Sequence, residues 1–223
     1  MYCGARLGAM LSTVITVATE TGRTGAEPSN IERIRAAALC SLAANGAAST
    51  TMRGVAAAAG VSLGLVQHHF ATKAGLISAV DDYVLGLIAT TFDRPLTEPP
   101  GGSVVEIGDR INKLFSEEPD VAAYMGRALV DGSPVGARIF DTLFAAGVVR
   151  WQQRKDRGEL RPDVDVTWAA INGLVLALGA ISLRSHLDRH LAEPFISPVQ
   201  LRRWQTAVDS LLTEGLFQLP AAD

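Results

Sequence analysis

Gln67, His68 and His69 are consecutive polar residues near the end of a short segment, SLGLVQHHF, that spans 62–70. A glutamine amide can make paired hydrogen bonds to the edge of an adenine, and a histidine can donate to base or phosphate oxygens. If the segment is a helix, these side chains have the chemistry needed to read bases in a groove of double-stranded DNA.

The residues before this segment predict a helix-turn-helix. Thr50 and Thr51 offer hydroxyls for an N-cap, and residues 52–59 place apolar side chains three and four positions apart, as in a helix with one buried face. Gly60 can take the left-handed backbone angle that ends this helix, and Ser62 can cap the next one. Such a pair of helices lets the second lie in the major groove while the first crosses the backbone.

Within the second helix, the small and apolar residues have separate expected roles. Gly64 removes a side chain where the backbone could approach a phosphate or a base edge. Leu63 and Leu65 could touch a thymine methyl group, and Val66 and Phe70 fall on the face that packs inward.

A longer pattern surrounds this motif between Ile34 and Val80. Its members are Ala37, Ala38, Leu39, Gly46, Thr50, Ala56, Ala59, Gly60, Val61, Ser62, Gly64, His69, Phe70, Lys73 and Leu76. The pattern resembles the N-terminal domain of the TetR family of transcriptional regulators and covers about a fifth of the chain. The resemblance implies an all-α fold, in which an N-terminal three-helix DNA-binding domain precedes a C-terminal helical domain for ligand binding and dimerisation.

The resemblance also assigns roles position by position. Lys73 matches the usual lysine and is expected to bind backbone phosphate with help from a helix N-terminus. Gln67 stands where a tyrosine is usual, and Gly75 replaces an acid that often completes a capping box, which predicts a looser helix start. The predicted DNA-binding residues are Thr50, Thr51, Arg53, Ser62, Leu63, Gly64, Leu65, Gln67, His68, His69 and Lys73.

The charge distribution agrees with a DNA-facing end. Residues 29–73 contain four basic residues and one acid, a net charge of +3, whereas the remainder holds 16 basic and 22 acidic residues, a net charge of −6. A cationic module on an anionic body would turn one end of the molecule toward phosphate, although a chance fluctuation of three charges gives the same count.

The periodicity predicts about nine helices and no strand. The expected helices span 29–45, 52–59, 63–70, 72–92, 103–117, 120–131, 134–157, 165–190 and 198–216. The expected domains are a disordered arm or misassigned start at 1–28, the DNA-binding domain at 29–73, and an effector-binding and dimerisation domain at 74–223.

Several other classes of protein receive no support. Cys3 and Cys40 are too few for a disulfide framework or a zinc pattern, so a reducing cytoplasmic location is expected. The longest apolar run, Leu174 to Leu183, is shorter than the ~20 residues of a membrane span. His186 and His190 lie four apart but are better explained as a solvated helix end than as a metal site. No catalytic motif occurs, so we expect no enzyme, cofactor or metal.

The last two helices carry stripes that could pair two copies of the chain. In the TetR-like arrangement these helices and their symmetry mates form a four-helix bundle, although each stripe could also fill the core of a monomer. The predicted interface residues are Trp168, Asn172, Leu176, Gly179, Leu183, Leu201, Trp204, Val208 and Leu211.

The middle helices are rich in aromatic and soft apolar residues, which could line a ligand cavity or simply form a core. Together with the family resemblance, they predict a largely apolar effector pocket. Its predicted residues are Tyr83, Phe92, Phe115, Tyr124, Met125, Arg127, Phe140, Phe144, Trp151 and Asn172, and Asp109 is a further polar anchor.

The resulting hypothesis is a ligand-responsive DNA-binding regulator. It would bind a palindromic operator as a homodimer, most simply as a repressor, and a small apolar effector would release it. The alternative is an all-helical protein that binds small molecules or partners without specific DNA binding.

Overall fold

The computed structural model describes residues 28–92 and 102–216 of the chain. Within these ranges it contains ten helices and no β-strand, which confirms the predicted all-α class. The predicted arm at 1–28 lies outside the described residues except for Pro28. The helices are α1 (Asn30–Ser49), α2 (Met52–Ala59), α3 (Leu63–Phe70), α4 (Lys73–Phe92), α5 (Gly102–Glu117), α6 (Pro119–Val130), α7 (Pro134–Asp156), α8 (Val166–Ser182), α9 (Arg184–Leu187) and α10 (Pro198–Leu216).

The chain divides into two compact units. Unit 1 ends at Gly86 and unit 2 begins at Leu87, so the division falls inside α4. The domain boundary was predicted after residue 73, which is the first residue of α4.

The ends of α1 show how local residues define the first helix. The Ser29 side chain accepts from the Glu32 N–H, and the Glu32 carboxylate accepts from the Ser29 N–H at 2.7 Å, which confirms the predicted capping box. At the other end, Gly46 leaves helical geometry with φ 76° and ψ 172°. The regular helix therefore ends where Asn45 and Gly46 predict it, and one further turn follows.

The core of unit 1 comes from one face of each of its four helices. These faces bring together large apolar side chains that are at most 1% exposed, and each such burial contributes roughly 1.5–3 kcal/mol. The core includes Ile34, Leu39, Leu42, Val55, Val66, Leu76, Val80 and Val84.

Helix α4 has the length and the composition of a membrane span, with 20 residues and a mean hydropathy of 1.3. Those two properties do not separate a membrane span from a core helix. Leu76, Val80, Val84 and Ile88 are all at most 1% exposed and repeat every four residues, which gives α4 the buried stripe of a core helix.

Unit 2 packs α6, α7 and α8 against one another, and α10 packs on α5 and α8. A buried cluster at Trp151, Leu160, Val164, Ala169 and Ala170 joins α7 to α8. The segment predicted as one helix to His190 is interrupted, because Leu183 leaves helical geometry with φ −96° and ψ 9°. The short helix α9 follows this break, so the described residues contain one helix more than the nine predicted.

The turn between α3 and α4 is strained at Ala71. Ala71 has φ 56° and ψ −58°, and the Thr72 N–H donates to the Phe70 carbonyl at 2.6 Å, the rare γ-turn with positive φ. The Thr72 hydroxyl accepts from the Gly75 N–H at 3.1 Å and so caps α4 without an acid. A Cβ at Gly75 would lie 2.3 Å from the Phe70 carbonyl oxygen, so the turn requires glycine there.

We predict opposite effects from two substitutions at this turn. Ala71→Gly should raise the free energy of unfolding by up to about 1 kcal/mol because it removes the strain of a positive φ. Gly75→Ala should lower it by about 1–3 kcal/mol because a methyl group must displace the Phe70 carbonyl. Chemical denaturation followed by circular dichroism measures both values.

Ala74→Gly is the matched control, because Ala74 is exposed in the first turn of α4. Glycine in an ordinary helical position costs about 1 kcal/mol. If Ala71→Gly destabilised the chain as much as Ala74→Gly does, the turn would not be strained.

Candidate nucleic-acid interface and effector cavity

The connection between α2 and α3 is closed by backbone hydrogen bonds. Gly60 takes the left-handed conformation, with φ 66° and ψ 37°. The Val61 N–H donates to the Ala56 carbonyl at 3.0 Å and the Gly60 N–H donates to the Ala57 carbonyl at 3.3 Å. This pair of bonds is a Schellman motif, so the chain reverses direction in a defined way after α2, as the glycine predicted.

Each of the two helices begins at a hydroxyl cap. The Thr51 side chain accepts from the Gly54 N–H at 3.1 Å, and the Ser62 side chain accepts from the Leu65 N–H at 3.1 Å. These caps confirm the predicted helix starts. Each cap of this type contributes about 1 kcal/mol to helix stability.

Helix α3 buries one side and exposes the other. Val66 is fully buried, while Gln67, His68 and His69 are exposed. Phe70 is half-buried at the end of the helix. The helix is therefore anchored by an apolar contact, and three consecutive polar side chains remain on its accessible surface.

Basic side chains brace the other elements around α3. An Arg33 Nη2 donates to the Ala59 carbonyl at 2.7 Å and so joins α1 to the end of α2. Lys73 Nζ donates to the Ala48 carbonyl at 3.2 Å, and the Arg35 guanidinium lies 4.3 Å from the centre of the Tyr83 ring. Three of the four basic residues between 29 and 73 thus have structural contacts, and Arg53 is exposed on α2.

The predicted DNA-binding residues differ in accessibility. The exposed ones are Thr51, Arg53, Ser62, Gly64, Gln67, His68 and His69, and the half-buried ones are Leu63, Leu65 and Lys73. Thr50 is 2% exposed, and its hydroxyl donates to the Gly46 carbonyl at 2.9 Å and lies 3.0 Å from the Ser41 hydroxyl. Thr50 is therefore not part of the exposed surface of α2 and α3.

Unit 2 contains a cavity of about 140 Å³ between α5, α7, α8 and α10. Most of its wall is apolar, and the aromatic side chains come from four different helices. The lining residues are Phe92, Ile107, Gly108, Ile111, Leu114, Phe115, Met125, Leu143, Gly147, Arg150, Trp151, Arg154, Ala170, Gly173, Leu174, Ala177, Leu178, Trp204, Gln205, Val208, Asp209 and Leu212.

The structure brings part of the predicted ligand set to this cavity. Phe92, Phe115, Met125 and Trp151 line it. The others, Tyr83, Tyr124, Arg127, Phe140, Phe144 and Asn172, do not line it. Tyr83 stacks with Arg35 in unit 1, Phe140 and Phe144 stack on each other with ring centres 6.3 Å apart, and Asn172 is exposed.

Sequence reasoning did not find the charged part of the wall. Arg150 and Arg154 lie one turn apart on α7, where they follow the lining residues Leu143 and Gly147 at helical spacing. Basic residues on an otherwise apolar stripe are the signal that could have identified them. An Arg150 Nη2 donates to the carbonyl of Phe92, the last residue of α4.

Arg154 is held in an apolar setting. It is 5% exposed, and its guanidinium lies 4.7 Å from the centre of the Trp151 ring. Burial lowers the pKa of Arg154, and the nearby Glu159 carboxylate opposes that shift. Electrostatic interactions with this guanidinium are stronger than they would be in water.

Gln205 also lines the cavity and belongs to a network of hydrogen bonds. Gln205 Nε2 donates to the Val105 carbonyl at 3.1 Å and to Asp109 Oδ1 at 2.9 Å, and the Asn112 amide donates to Gln205 Oε1. Asp109, predicted as a ligand anchor, thus lies behind Gln205. Burial raises the pKa of Asp209, the Asp109 charge raises it further, and a hydrogen bond from Gln205 lowers it.

Comparison with known proteins identifies the fold and the motif together. The model of the family described as bacterial regulatory proteins, tetR family, matches residues 34–80, the segment that contains α2, α3 and the start of α4. Residues 34–80 therefore resemble the N-terminal segment of TetR-family regulators.

Relatives of this chain include helix-turn-helix regulators of mycobacteria. The chain is 34% identical over 114 residues to the HTH-type transcriptional repressor Rv3405c of Mycobacterium tuberculosis and, to the same extent, to the HTH-type transcriptional regulator Mb3439c of Mycobacterium bovis. The match covers 49% of this chain and 53% of each relative, so the chain spans about half the length of the curated relatives it matches.

Solved structures share the fold over most of the chain. A TetR transcriptional regulator from Chloroflexus aurantiacus has a TM-score of 0.66 at 20% identity, with 85% of this chain and 97% of that chain covered. SmeT, the repressor of a Stenotrophomonas maltophilia multidrug efflux pump, has a TM-score of 0.63 at 19% identity, with 91% and 96% covered. At these identities the comparison establishes the fold.

The two stripes predicted as a TetR-type dimer interface have different environments. Trp168 and Val175 on α8 and Leu183 directly after it are 59%, 57% and 54% exposed, and Asn172 is also exposed, while Leu176 and Gly179 are half-buried. On α10, Leu211 is 65% exposed, but Leu201 is 2% exposed, and Trp204 and Val208 line the cavity. Val175 was not among the residues predicted.

Because the pKa of Asp209 is raised, we predict that Asp209→Asn increases the thermal stability of the chain by an amount that depends on pH. A folded-state pKa above the ordinary value of 3.8 means that ionised Asp209 opposes folding, and this cost appears as the pH rises above that value. The variant should therefore have a higher Tm than the wild type at pH 7, and the difference should shrink as the pH falls toward 3.8.

Differential scanning calorimetry at several pH values measures this difference. Asp141→Asn is the control, because Asp141 is an exposed carboxylate on α7. A gain that did not change with pH would show that ionisation of Asp209 is not its cause.

Proposed function

We propose that this chain is a ligand-responsive transcriptional regulator that binds operator DNA as a homodimer and is released by a small, largely apolar molecule. The accessible face of α3 is the observation that carries the proposal. Gln67, His68 and His69 are exposed on a helix that is capped at Ser62 and anchored at Val66. A regulator of this kind acts in the cytoplasm, and the name of the repressor Rv3405c favours repression over activation.

In this proposal, the residues that contact the bases differ from those that contact the phosphates. Gln67, His68 and His69 contact base edges in the major groove, where an amide pairs with adenine. Arg53 and Lys73 contact phosphates, and the exposed backbone at Gly64 allows a close approach to the DNA. Because Lys73 also donates to the Ala48 carbonyl, its contact with phosphate depends on the position of α1.

The dimer in this proposal forms through the exposed apolar stripe of α8 with Leu211 of α10. Trp168, Val175, Leu183 and Leu211 are all more than half exposed in one chain, and large exposed side chains in a row mark an association surface. A two-fold axis at this surface presents two copies of α3 to half-sites about 34–36 Å apart. The operator is therefore an inverted repeat.

The effector in this proposal occupies the cavity of unit 2. Arg150 lines the cavity and donates to the carbonyl of Phe92, so a ligand that attracts Arg150 weakens a contact at the end of α4. The same helix begins at Lys73, directly after α3 and its turn. Release requires that the ligand binds the DNA-free conformation more tightly than the DNA-bound conformation.

The alternative is a helical ligand-binding protein without specific DNA binding. The structural contacts of Arg33, Arg35 and Lys73 favour it, since they fix the positions of three of the four basic residues between 29 and 73. Selection from randomised duplex DNA distinguishes the two functions. A regulator enriches an inverted repeat, whereas the alternative enriches no sequence.

With the selected operator, two substitutions should have different effects. Gln67→Ala should weaken binding by about 1–3 kcal/mol and relax the preference at one base position. Arg53→Ala should weaken binding to all sequences alike and reduce the slope of log affinity against log salt by about 1. Fluorescence anisotropy with operator and base-substituted duplexes at several salt concentrations measures both effects.

Lys73→Ala is a second phosphate variant and needs a measurement of Tm, because the same substitution removes the bond to Ala48. If Gln67→Ala and Arg53→Ala affected all sequences equally, the division into reading and positioning residues would be wrong. A binding constant that did not depend on salt would contradict DNA binding through phosphate contacts.

We predict that Val175→Glu converts the dimer to a monomer, since it places a charge in the proposed apolar interface. Val149→Glu is the matched control, because Val149 on α7 is 56% exposed, almost the same as Val175 at 57%. Sedimentation velocity should show a dimer for the wild type and for Val149→Glu, and a monomer for Val175→Glu. A Val175→Glu dimer would place the interface elsewhere.

A further inference from the structure

The lining of the cavity in unit 2 specifies more than an apolar ligand. Two guanidinium groups, Arg150 and Arg154, and one carboxyl group, Asp209, belong to a wall that is otherwise built mainly from apolar side chains. The formal charge of this lining is therefore positive. An apolar wall makes interactions with a bound charge stronger, so a complementary anion gains more here than it would at a surface.

The arginines provide a directional partner for a carboxylate. A guanidinium presents its N–H donors in a planar fork that matches the two oxygens of a carboxylate, and it can stack on an aromatic ring at the same time. Arg154 lines the cavity, is 5% exposed, and places its guanidinium over the Trp151 ring. Burial lowers the pKa of Arg154, the Glu159 carboxylate offsets part of that cost, and an anionic ligand would offset more of it.

The remaining wall favours a flat apolar group of limited size. Phe92, Phe115, Trp151 and Trp204 supply four aromatic rings, and aromatic pairs in offset or edge-on contact are stabilised beyond the burial of area. Since a bound water molecule needs about 10–15 Å³, the 140 Å³ of space takes a ligand of on the order of ten non-hydrogen atoms.

We propose that the cavity binds a small aromatic carboxylate, with its ring against these aromatic side chains and its carboxylate on Arg154. This inference deepens the proposed function, on which it rests for the role of the ligand as effector. Asp209 is the one carboxyl group among the described residues of the lining, and burial and the Asp109 charge raise its pKa.

The test compares 3-phenylpropanoate with its uncharged amide, 3-phenylpropanamide, by isothermal titration calorimetry on the full-length chain. The acid should bind about tenfold or more tightly than the amide, since hydrogen bonds to a charged group contribute about 1.5–3 kcal/mol. Hexanoate, an aliphatic acid, should bind more weakly than 3-phenylpropanoate. Equal binding of acid and amide, equal binding of hexanoate, or no acid binding at about 10 mM would overturn the proposal.

Substitutions on α7 test whether Arg154 causes the preference for the acid over the amide. Arg154→Gln should reduce the ratio of acid to amide affinity to about threefold or less, whereas Arg154→Lys keeps the charge and should retain an intermediate ratio. Arg138→Gln changes an exposed arginine on the same helix and should leave the ratio unchanged. A ratio that survived in Arg154→Gln would exclude Arg154 as the carboxylate partner.

Measurement of operator binding with and without 3-phenylpropanoate separates this inference from the proposed function. If the acid binds but does not lower the affinity for operator DNA, the ligand class is correct and the proposed response is wrong. If the chain binds an inverted repeat but not the acid, the ligand class is wrong and DNA binding stands.

Discussion

The fixed position of α3 is the constraint on which the rest of unit 1 depends. A helix of eight residues is too short to be stable by itself, so its direction must come from its two connections and its buried face. Gly60 closes the first connection through two backbone bonds, and Ala71 closes the second in a strained turn. Val66 supplies the buried contact, and the polar side chains can then face outward without disturbing the core.

Features that depend on residues within one turn could be predicted from the sequence. The capping box at Ser29, the glycine reversal at Gly60 and the cap at Ser62 follow from side chains and backbone angles that only near neighbours influence. The turn at Ala71 could not, because alanine gives no sign that it will adopt a positive φ. Its partner Gly75 was interpreted as a missing acid, although the close Phe70 carbonyl is the reason for glycine.

The residues that line the cavity could not be predicted from the hydrophobic periodicity of the sequence. A stripe of apolar residues shows that one face of a helix is covered, but it does not show what covers it. Trp204 and Val208 were predicted at a dimer interface, and within one chain they line the cavity of unit 2. Phe140 and Phe144 were predicted to line a ligand pocket, and they stack on each other outside this cavity. These outcomes depend on how several helices converge, which no single helix encodes.

The contacts of the basic residues determine how unit 1 could meet DNA. Arg33 and Lys73 hydrogen-bond to the Ala59 and Ala48 carbonyls, and as basic residues they also contribute to a long-range positive potential. Their short-range geometry, however, is set by α1 and α2. Electrostatic attraction and structural bracing therefore come from the same side chains, and in the proposed regulator the exposed amide and imidazoles of α3 would discriminate between DNA sequences. This separation explains why a modest net charge of +3 over residues 29–73 is compatible with a DNA-facing surface on an acidic chain.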